Sequence, residues 1–598
     1  MNIRKVNIRL VFSALALVSL LFTSCKEWDE HYDAGSAVEG SATATIWENI
    51  TANPNLSQFA ALVQKAGYDE LLKSTQTLTV WAPLNDTFDY EALMSESNET
   101  LRKEFVQNHI ARNNYPASGQ IGWSVSMLNL KHLVFEGNGN YTMDGIAVAQ
   151  PNVASANGVL HALNGKLQFR SNILESLNNK DFPIDSISDY YHSYDVLKLN
   201  ESKSTAGPVV DGQLTYLDSV FDEYNMLTTL HKSYIEHEDS NYSMVVPSNE
   251  AWEKAMKYIR NCYNYVDFTY LDHPSSKGTN QTQERVTLSP GPEYWNDSIS
   301  HFKMLTGLFY NNNLYDNKKL NQWANGEQPV IDSLMTTRNE RMYTEDAMAM
   351  LRTTTPVKKS NGAMFVTGDS LHLQPWIFWN PMINVEAEHS GNVGSVENGN
   401  SDNKKVTTET QNPDVPGQVS KQGYVEVSPQ TNMSNVEINF YLKDVRSTTY
   451  VLYIVFVPAN ITNRFIPAED IKPNQVQVQL GSNRANGTMP ANPTTLSVVD
   501  TLYDENGNVI YDDKGKPTTK TRNLFSNDPS KVDTVCFGEI TFPICYYDMA
   551  GSPFLRVLSR VPVGSTEFDR TVRIDRVFLL PKELDTYMKE HPDYKVHY

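Results

Sequence analysis

The stretch that decides the fold is Leu78-Thr-Val-Trp-Ala-Pro-Leu-Asn-Asp-Thr-Phe88. It begins as a run of β-forming residues and stops at a proline. It then offers Asn85 and Asp86 as caps for a helix whose first apolar residue is Phe88. A similar string, Ser243-Met-Val-Val-Pro-Ser-Asn-Glu-Ala-Trp252, occurs later in the chain. Because an internal repeat of this kind is typical of duplicated domains, the sequence predicts two copies of one domain.

Each copy also carries a later string that contains Asn-Gly. These strings are Ala156-Asn-Gly-Val-Leu-His-Ala-Leu163 and Ser360-Asn-Gly-Ala-Met-Phe-Val366. Asn and Gly both tolerate positive φ, so the pair predicts a tight turn that leads into a strand. With both strings in order, and with Asn108-His109 between them in the first copy, the chain resembles the fasciclin-like domain family. The resemblance implies an α+β fold, in which a β-wedge is packed with helices.

The two copies differ in sequence and in length. Phe365 stands where His161 stands in the first copy, and Val245 replaces Trp81. The proline of the first string and the asparagine of the second are 74 positions apart in the first copy and 114 in the second. We predict that the added material is the polar tract 267–292 and that it does not order itself, because its composition buries little apolar surface.

From about residue 382 the sequence changes to short runs that alternate apolar and polar residues. Many short strands with few helical patterns predict an all-β, jelly-roll-like sandwich. The domains we predict are therefore 46–170 and 171–380, both fasciclin-like, and 381–598, the sandwich. The predicted strands of the sandwich are Tyr424–Val427, Val436–Phe440, Tyr450–Val457, Val476–Leu480, Phe554–Leu558 and Thr571–Leu580.

The N-terminus predicts export and lipidation. Residues 1–24 have basic residues ahead of a short apolar run, which is typical of a signal peptide. Leu21-Phe-Thr-Ser-Cys25 resembles the bacterial lipobox, which implies that Cys25 is acylated and anchors the protein through a flexible tether, 25–45. The acidic string Lys26–Asp33 resembles the surface-export signal of Bacteroidetes lipoproteins. The resemblance implies an outer-membrane protein facing the cell exterior; a passive, solvated tether is the alternative.

Charge and cysteine content exclude some classes of protein. The formal net charge is −20, and no basic stripe occurs, so a nucleic-acid partner is not expected. The chain has only four cysteines, too few for a disulfide-built scaffold. Cys536 and Cys545 could pair across adjacent strands, and the sequence leaves this open.

The aromatic run Pro375-Trp-Ile-Phe-Trp-Asn-Pro381 marks the boundary before the sandwich. Trp376 and Trp379 are the candidate ligand-binding residues, because an aromatic face can stack on a sugar ring. Aromatic residues are also what a junction between domains buries, and we favour that interpretation.

The sandwich region resembles the jelly-roll carbohydrate-binding modules of the galactose-binding type in Val385-Glu-Ala-Glu388 and Arg573-Ile-Asp-Arg-Val577. The resemblance implies a structural calcium ion held by Glu386, Glu388 and Asp575, since calcium prefers oxygen ligands. Acids on strand faces are more often solvated, and that alternative stays open. No other cofactor is expected.

The sequence contains neither a G-x-S-x-G elbow nor a glycine loop that ends in Lys-Ser/Thr. We therefore expect a non-enzymatic protein that acts in adhesion or in the capture of a glycan or protein ligand. A second hypothesis is an accessory subunit of a TonB-dependent import complex, beside an outer-membrane transporter and its lid lipoprotein. A third is a glycan-degrading hydrolase, because two carboxylates across a cleft are enough for that chemistry and the chain has 70 acidic residues.

Overall fold

A computed structural model describes residues 43–178, 180–199, 201, 205–210, 212–218, 221–273, 282–389, 391–399, 404–407, 411–490, 492–546, 553–594 and 596. The predicted signal peptide and Cys25 lie outside these residues. The chain divides into two compact units. The first contains the described part of Met1–Asn179 together with Tyr234–Asn241 and Lys358–Ala363, and the second contains the described remainder. Among the described residues, no helix has both the length and the apolar character needed to cross a membrane.

The first unit is built on a seven-stranded sheet whose buried strand, Leu78–Pro83, is the β-run of the first string. This strand runs parallel to Gly158–Leu163 and places Trp81 beside His161. In sheet order the strands are Ile110–Arg112, Leu78–Pro83, Gly158–Leu163, Ile146–Ser155, Asn140–Met143, His132–Asn138 and Gln120–Ser126.

Short helices pack against this sheet through an apolar face. Phe59, Leu62 and Val63 lie on one face of a helix and are fully buried, as the 3.6-residue period predicts. The helices of the first unit are Ile46–Ala52, Pro54–Leu56, Ser57–Lys65, Asp69–Lys73, Tyr90–Ser95, Asn98–Thr100, Leu101–Val106, Gln107–His109 and Ile173–Ser176.

The predicted role of Asn85 and Asp86 as caps of the following helix is wrong. That helix begins at Tyr90, and its cap is Asp89, whose carboxylate accepts a hydrogen bond from the backbone of the first turn. Asn85 Oδ1 instead accepts the N–H of Gln58, 3.0 Å away, in the first turn of an earlier helix. The side chain therefore ties the end of a strand to a helix that precedes it in the chain.

Asn249 of the second string has the same role as Asn85. Its Oδ1 accepts the N–H of Ser186, 2.8 Å away, in the first turn of a helix earlier in the chain. The two asparagines occupy corresponding positions in the two strings, and each satisfies a backbone N–H at a helix start that has no partner within its helix.

Asn157, of the first Asn-Gly pair, is a buried hub of backbone hydrogen bonds. Its Oδ1 accepts the N–H of Ile46 at 2.8 Å, and its Nδ2 donates to the carbonyl oxygens of Leu72 and Ser74 at 2.9 and 2.8 Å. The side chain is 5% exposed, so these bonds are shielded from water. One amide thus holds a helix start and a preceding loop against the turn.

Asn361, of the second Asn-Gly pair, makes the corresponding three bonds. Its Oδ1 accepts the N–H of Ile173 at 3.0 Å, and its Nδ2 donates to the carbonyl oxygens of Ile235 and His237 at 2.7 and 3.1 Å. Like Asn157, it joins a helix start to a loop through a buried amide.

The glycine that follows each of these asparagines is required by the turn. Gly158 has a φ of +137°, and a Cβ added there would lie 1.8 Å from the carbonyl oxygen of Leu78. Gly362 has a φ of +138°. Only glycine adopts this backbone conformation without strain.

A buried lysine supplies a charged contact within the first unit. Lys131 is 2% exposed, and its Nζ lies 2.7 Å from Glu175, 2.5 Å from Glu238 and 3.3 Å from Ser360 Oγ. Burial raises the pKa of Glu175, but hydrogen bonds from Lys103 and Lys131 outweigh burial and leave the pKa below its ordinary value. The loops that carry these residues are therefore joined by a desolvated ion pair.

Residues 180–380 form helices around a four-stranded sheet, and all of this segment except Tyr234–Asn241 and Lys358–Ala363 belongs to the second unit. The sheet order is Phe309–Asn311, Tyr242–Val246, Gly362–Thr367 and Thr354–Lys359. The helices are Asp185–His192, Met226–His231, Asn249–Cys262, Pro292–Thr306, Tyr315–Lys318, Lys319–Ala324, Thr344–Arg352 and Pro375–Phe378. The two-stranded sheets pair Thr205–Val210 with Gln213–Asp218, Asp195–Leu199 with Phe221–Asn225, Phe268–His273 with Thr282–Thr287, and Ser333–Met335 with Arg341–Tyr343.

The expectation that the tract 267–292 does not order itself is wrong for most of its length. Phe268–His273 and Thr282–Thr287 pair as an antiparallel ladder, and Leu288 is buried at its end. Cross-strand hydrogen bonding satisfies the backbone even though the composition is polar.

The C-terminal part of the second unit has two six-stranded sheets that share one hydrophobic core. All six strands predicted from the alternation of apolar residues are present, and no end differs from the prediction by more than one residue. One sheet has the order Lys404–Thr407, Gly423–Val427, Val572–Pro581, Thr449–Phe456 and Asp533–Thr541, with Ile383–Glu386 also paired to Val572–Pro581. The other has Val393–Glu397, Glu437–Tyr441, Phe554–Ser559, Gln475–Gly481 and Thr494–Thr495, with Phe525–Ser526 also paired to Gln475–Gly481.

Three further short helices and one hairpin complete this region. They are Ser420–Gln422, Ala468–Asp470 and Lys582–Glu590, and the hairpin of Val498–Thr501 with Thr519–Arg522. Cys536 and Cys545 are both free thiols, the first exposed and the second buried. The structure therefore does not contain the pairing that the sequence left open.

Two buried histidines set how the first unit responds to acid. His109 donates from Nδ1 to the carbonyl oxygen of Phe105 at 2.7 Å and accepts at Nε2 from the N–H of Leu167 at 3.0 Å. His161 accepts at Nδ1 from Asn152 N–H at 3.2 Å, and its Nε2 bonds the carbonyl oxygen of Tyr115 at 3.0 Å. Burial lowers the pKa of each to about 4, so both are neutral in the folded state at neutral pH.

We predict that acid destabilises the first unit through these histidines. Because the folded pKa of about 4 lies below the ordinary 6.5, their contribution is complete above about pH 6.5 and is lost as the pH falls to about 4. One histidine changes the free energy of unfolding by about 3 kcal/mol over this range. His161→Phe places at this position the residue that Phe365 supplies in the second Asn-Gly string. The variant is expected to be less stable at pH 7, and its free energy of unfolding is expected to fall by about 3 kcal/mol less between pH 7 and 4. Urea denaturation of the mature chain between pH 4 and 7 checks this, and equal acid sensitivity of wild type and variant would contradict it.

Candidate functional site

The boundary stretch Pro375–Pro381 lies inside the second unit, at the junction of the segment 180–380 with the sandwich. Trp379 is only 4% exposed. Its carbonyl oxygen accepts a hydrogen bond from Tyr263 Oη at 2.9 Å, and its ring centroid is 5.8 Å from that of Tyr258. Trp379 is therefore packed into the junction, and its ring presents no open face to a sugar.

Arg446 closes the junction from the sandwich side. Its guanidinium is almost fully buried and donates from Nε to Tyr263 Oη at 3.3 Å and from Nη1 to the Pro381 carbonyl oxygen at 3.1 Å. Tyr450 Oη, which also contacts Arg446, donates to Asn380 Oδ1 at 3.3 Å. Within the part of the chain that the structure describes, no carboxylate forms an ion pair with Arg446. Its charge is therefore stabilised by phenol and carbonyl oxygens from both sides of the junction.

Trp376 stands between two clefts and lines both of them. Its Nε1–H donates to Tyr594 Oη at 2.9 Å. Its ring centroid is 5.1 Å from that of Tyr587 and 6.3 Å from that of Tyr594. The indole is thus already engaged by aromatic neighbours from the C-terminal helix and tail.

The first cleft, here called the Glu583 cleft, has a volume of about 630 Å³. Tyr258 Oη donates a hydrogen bond to Glu583 within it. Tyr587, Lys582 and Glu590 contribute further to the wall. Glu583 is thus engaged by Tyr258, and Lys582 is paired with Glu539 at 2.9 Å, so these two charged groups of the cleft already have partners.

The second cleft, here called the Asp346 cleft, is larger, at about 980 Å³. Asp346 lies in the first turn of the helix Thr344–Arg352. Tyr594 from the C-terminal tail also lines the cleft and donates a hydrogen bond to Asp346. Sequence reasoning missed both residues. The only signal was an acidic helix start, which is common in helices without any ligand.

The three acids predicted to hold calcium are partly brought together. Glu386 Oε1 accepts from Ser420 Oγ at 2.9 Å and from Asn384 Nδ2 at 2.7 Å, whereas its Oε2 has no hydrogen-bond partner in the described part of the chain. The Asp575 carboxylate accepts the Ser420 N–H at 3.1 and 3.2 Å. Burial, together with the charges of Glu386 and Glu388, raises the pKa of Asp575 to about 7.

This pair fits a hard cation in its chemistry but not in its number of ligands. Calcium takes six to eight oxygen ligands, and two buried carboxylates supply only part of that set. Among the described residues, no group of three or more His, Cys, Asp or Glu side chains is placed to hold a metal ion. Calcium at Glu386, Glu388 and Asp575 therefore stays a prediction.

We predict that the pair destabilises the sandwich at alkaline pH when no cation is added. Because the folded pKa of Asp575 is raised to about 7, its stabilisation is lost as the pH rises through 7. In EDTA, the free energy of unfolding is expected to fall by roughly 2–4 kcal/mol between pH 4 and 8 at this site. Calcium in hundredfold excess over its dissociation constant would restore about 2.7 kcal/mol at pH 8.

Asp575→Asn tests both parts of this prediction, with Asp513→Asn on an exposed turn as the matched control. The Asp575 variant is expected to lose both the alkaline decline and the response to calcium in urea denaturation. A calcium response that survives the substitution would contradict assignment of the ion to this pair.

Comparison with known proteins identifies one domain. Residues 54–168 match the family model described as the fasciclin domain. The chain therefore contains a fasciclin domain, and the resemblance drawn from the two strings is confirmed for these residues. No curated protein sequence matches the chain.

Three solved structures are similar to parts of the chain. A FAS1 domain pair from the insect cell adhesion molecule Fasciclin I has 15% identity, covers 55% of this chain and 99% of its own, and has a TM-score of 0.19. A Paenibacillus xanthan lyase has 13% identity, covers 38% of this chain and 16% of its own, and has a TM-score of 0.19. A family 35 carbohydrate binding module from Clostridium thermocellum has 12% identity, covers 33% of this chain and 98% of its own, and has a TM-score of 0.16. These scores are too low to carry an argument about function.

Proposed function

We propose that the mature protein is a lipid-anchored lipoprotein of the bacterial outer membrane, of the kind found in Bacteroidetes, that captures a glycan or protein ligand at the cell surface. The observation that carries the proposal is the fasciclin domain at residues 54–168, which suggests an adhesion-type function. The acyl groups on Cys25 would hold the protein at the membrane, because two or more chains are needed for stable anchoring.

We also propose that residues 171–380 form a second fasciclin-like domain with an insertion. The support is that Asn249 and Asn361 make the same hydrogen bonds as Asn85 and Asn157. Similar strings are weak evidence alone, but the matching use of two asparagine side chains, one at a helix start and one in a buried turn, is specific. On this proposal, Phe365 replaces His161 without a change of local architecture.

Ligand capture in our proposal takes place without catalysis. The two clefts beside Trp376 are the places where a ligand would be held, and the Asp346 cleft is the larger. The hydrolase hypothesis predicts product release when the purified chain is incubated with polysaccharide. Recovery of the polysaccharide at unchanged length would support capture alone.

We predict that Cys25→Ala removes the anchor and leaves the body intact. The substitution removes the only sulfur in the lipobox-like string, so labelled palmitate is expected to be lost and the protein to leave the membrane fraction. Cys536→Ala, which changes an exposed thiol elsewhere, is the matched control and is expected to remain acylated and accessible to protease on whole cells. Acylation of the Cys25 variant would contradict the assignment of the anchor to this residue. Protection of the wild type from external protease would contradict surface display.

Affinity capture from solubilised outer membranes separates the first two hypotheses about function. Wild-type mature protein serves as bait. Recovery of a transporter with its lid lipoprotein would favour the import-complex alternative. Binding to isolated glycans or proteins without those two partners would favour adhesion.

A further inference from the structure

The floor of the Asp346 cleft holds a buried carboxylate that is only half satisfied. Asp346 is 5% exposed, and its Oδ2 accepts the O–H of Tyr594 at 3.1 Å. Its Oδ1 is also buried, and among the residues that the structure describes no donor meets hydrogen-bond geometry with it, although the Gln374 side chain is near enough to lower the pKa of the carboxyl. A buried carboxylate oxygen without a partner is costly, so the site is built to receive a donor from outside.

The protein compensates this carboxylate only in part. Burial is the largest effect and raises the pKa of Asp346, whereas the Gln374 amide and Tyr594 lower it, and Glu345 raises it further. The position of Asp346 in the first turn of a helix favours its charged form, but burial outweighs that effect. A cation at Oδ1 would supply what the surrounding side chains do not.

The charges around the cleft also favour a cation. Glu340, Glu345 and Asp593 line it together with Asp346, against a single described cation, Arg341. The Arg341 guanidinium lies 5.5 Å above the ring of Tyr315 and is engaged there. The four acids and one base give the cleft a negative field that attracts cationic ligands.

Part of the wall is aliphatic, and its one indole is already engaged. Trp376 already uses its Nε1–H on Tyr594, and its ring lies against that of Tyr587. An alkyl stem would pack on the apolar side chains that line the cleft, which are Met335, Ile377, Pro381, Met382 and Val596. A long side chain with an apolar stem and a charged end fits this combination.

We propose that the Asp346 cleft binds a lysine or arginine side chain of a protein partner, with its cationic end on Asp346 Oδ1 and its stem against the aliphatic wall. This inference rests on the proposed function of ligand capture and gives that function a ligand class. On this inference, the ligand of the Asp346 cleft is a protein with an exposed basic side chain and not a glycan.

The test compares capped tripeptides that differ only at the central residue. Ala-Lys-Ala, Ala-Arg-Ala and Ala-norleucine-Ala are titrated into the purified mature chain, with binding followed by ligand-detected NMR. Norleucine keeps the alkyl stem and lacks the charge. We expect the lysine and arginine peptides to bind about thirtyfold more tightly than the norleucine peptide, because a buried charged partner is worth at least 2 kcal/mol.

Two variants locate the effect, and one serves as a matched control. Asp346→Asn is expected to abolish the preference for lysine over norleucine, and Tyr594→Phe to reduce it. Glu293→Gln removes an acid from the first turn of another helix in the same unit and is expected to change nothing. Since the comparison of peptides on wild type needs no substitution, a variant that fails to fold does not decide the outcome.

Three results would overturn the proposal. One is equal binding of the lysine and norleucine peptides. Another is a lysine preference that Asp346→Asn leaves intact. The third concerns Lys595, which lies outside the described residues and is next in sequence to Tyr594. If the lysine peptide binds to the Lys595→Ala variant and not to the wild type, the cleft is occupied by the chain's own Lys595 and not by a partner's side chain. None of these results bears on surface display, and loss of display would leave this cleft untouched.

Discussion

The second unit depends on the buried guanidinium of Arg446, which has no carboxylate partner among the residues that the structure describes. Arg446 donates to Tyr263 on one side, where the hydrogen bond is buried, and to the Pro381 carbonyl oxygen on the other, where it is partly buried. A buried charge is tolerated only where its donors are used, so the strands of the sandwich and the segment before it must meet in one arrangement. That arrangement places Trp376 between the two clefts. The clefts are therefore a consequence of how the junction is closed.

Buried asparagine amides play the corresponding part in the fasciclin domain and in the turn at Asn361. Each of Asn157 and Asn361 satisfies three backbone groups that would otherwise be buried without a partner. The glycine that follows each asparagine allows the chain to turn at positive φ. Side-chain amides thus supply buried loop backbone with the hydrogen-bond partners that neighbouring strands supply within a sheet. Both strings therefore place an amide where backbone donors and acceptors need a partner.

Patterns with a short range in sequence predicted much of the fold. The six strands of the sandwich follow from alternation, because a strand buries every second residue. Asn85 was assigned to the wrong helix because its partner, Gln58, lies 27 positions earlier, where no local pattern points to it. The hairpin Phe268–His273 with Thr282–Thr287 was missed for a related reason, since pairing between strands is not visible in composition. For the candidate site, sequence indicated Trp376 and the aromatic boundary. It could not indicate Asp346 with Tyr594, whose side chains meet across 248 positions.

Hydrogen–deuterium exchange of the full mature chain, with and without a saturating lysine tripeptide, tests most directly the claim that the chain holds a ligand beside Trp376. Our account predicts slower exchange in Thr344–Arg352 and Pro375–Phe378, unchanged exchange in Leu78–Pro83, and a peptide recovered at unchanged mass. Protection confined to the fasciclin domain, or a peptide recovered with a bond cleaved, would contradict it.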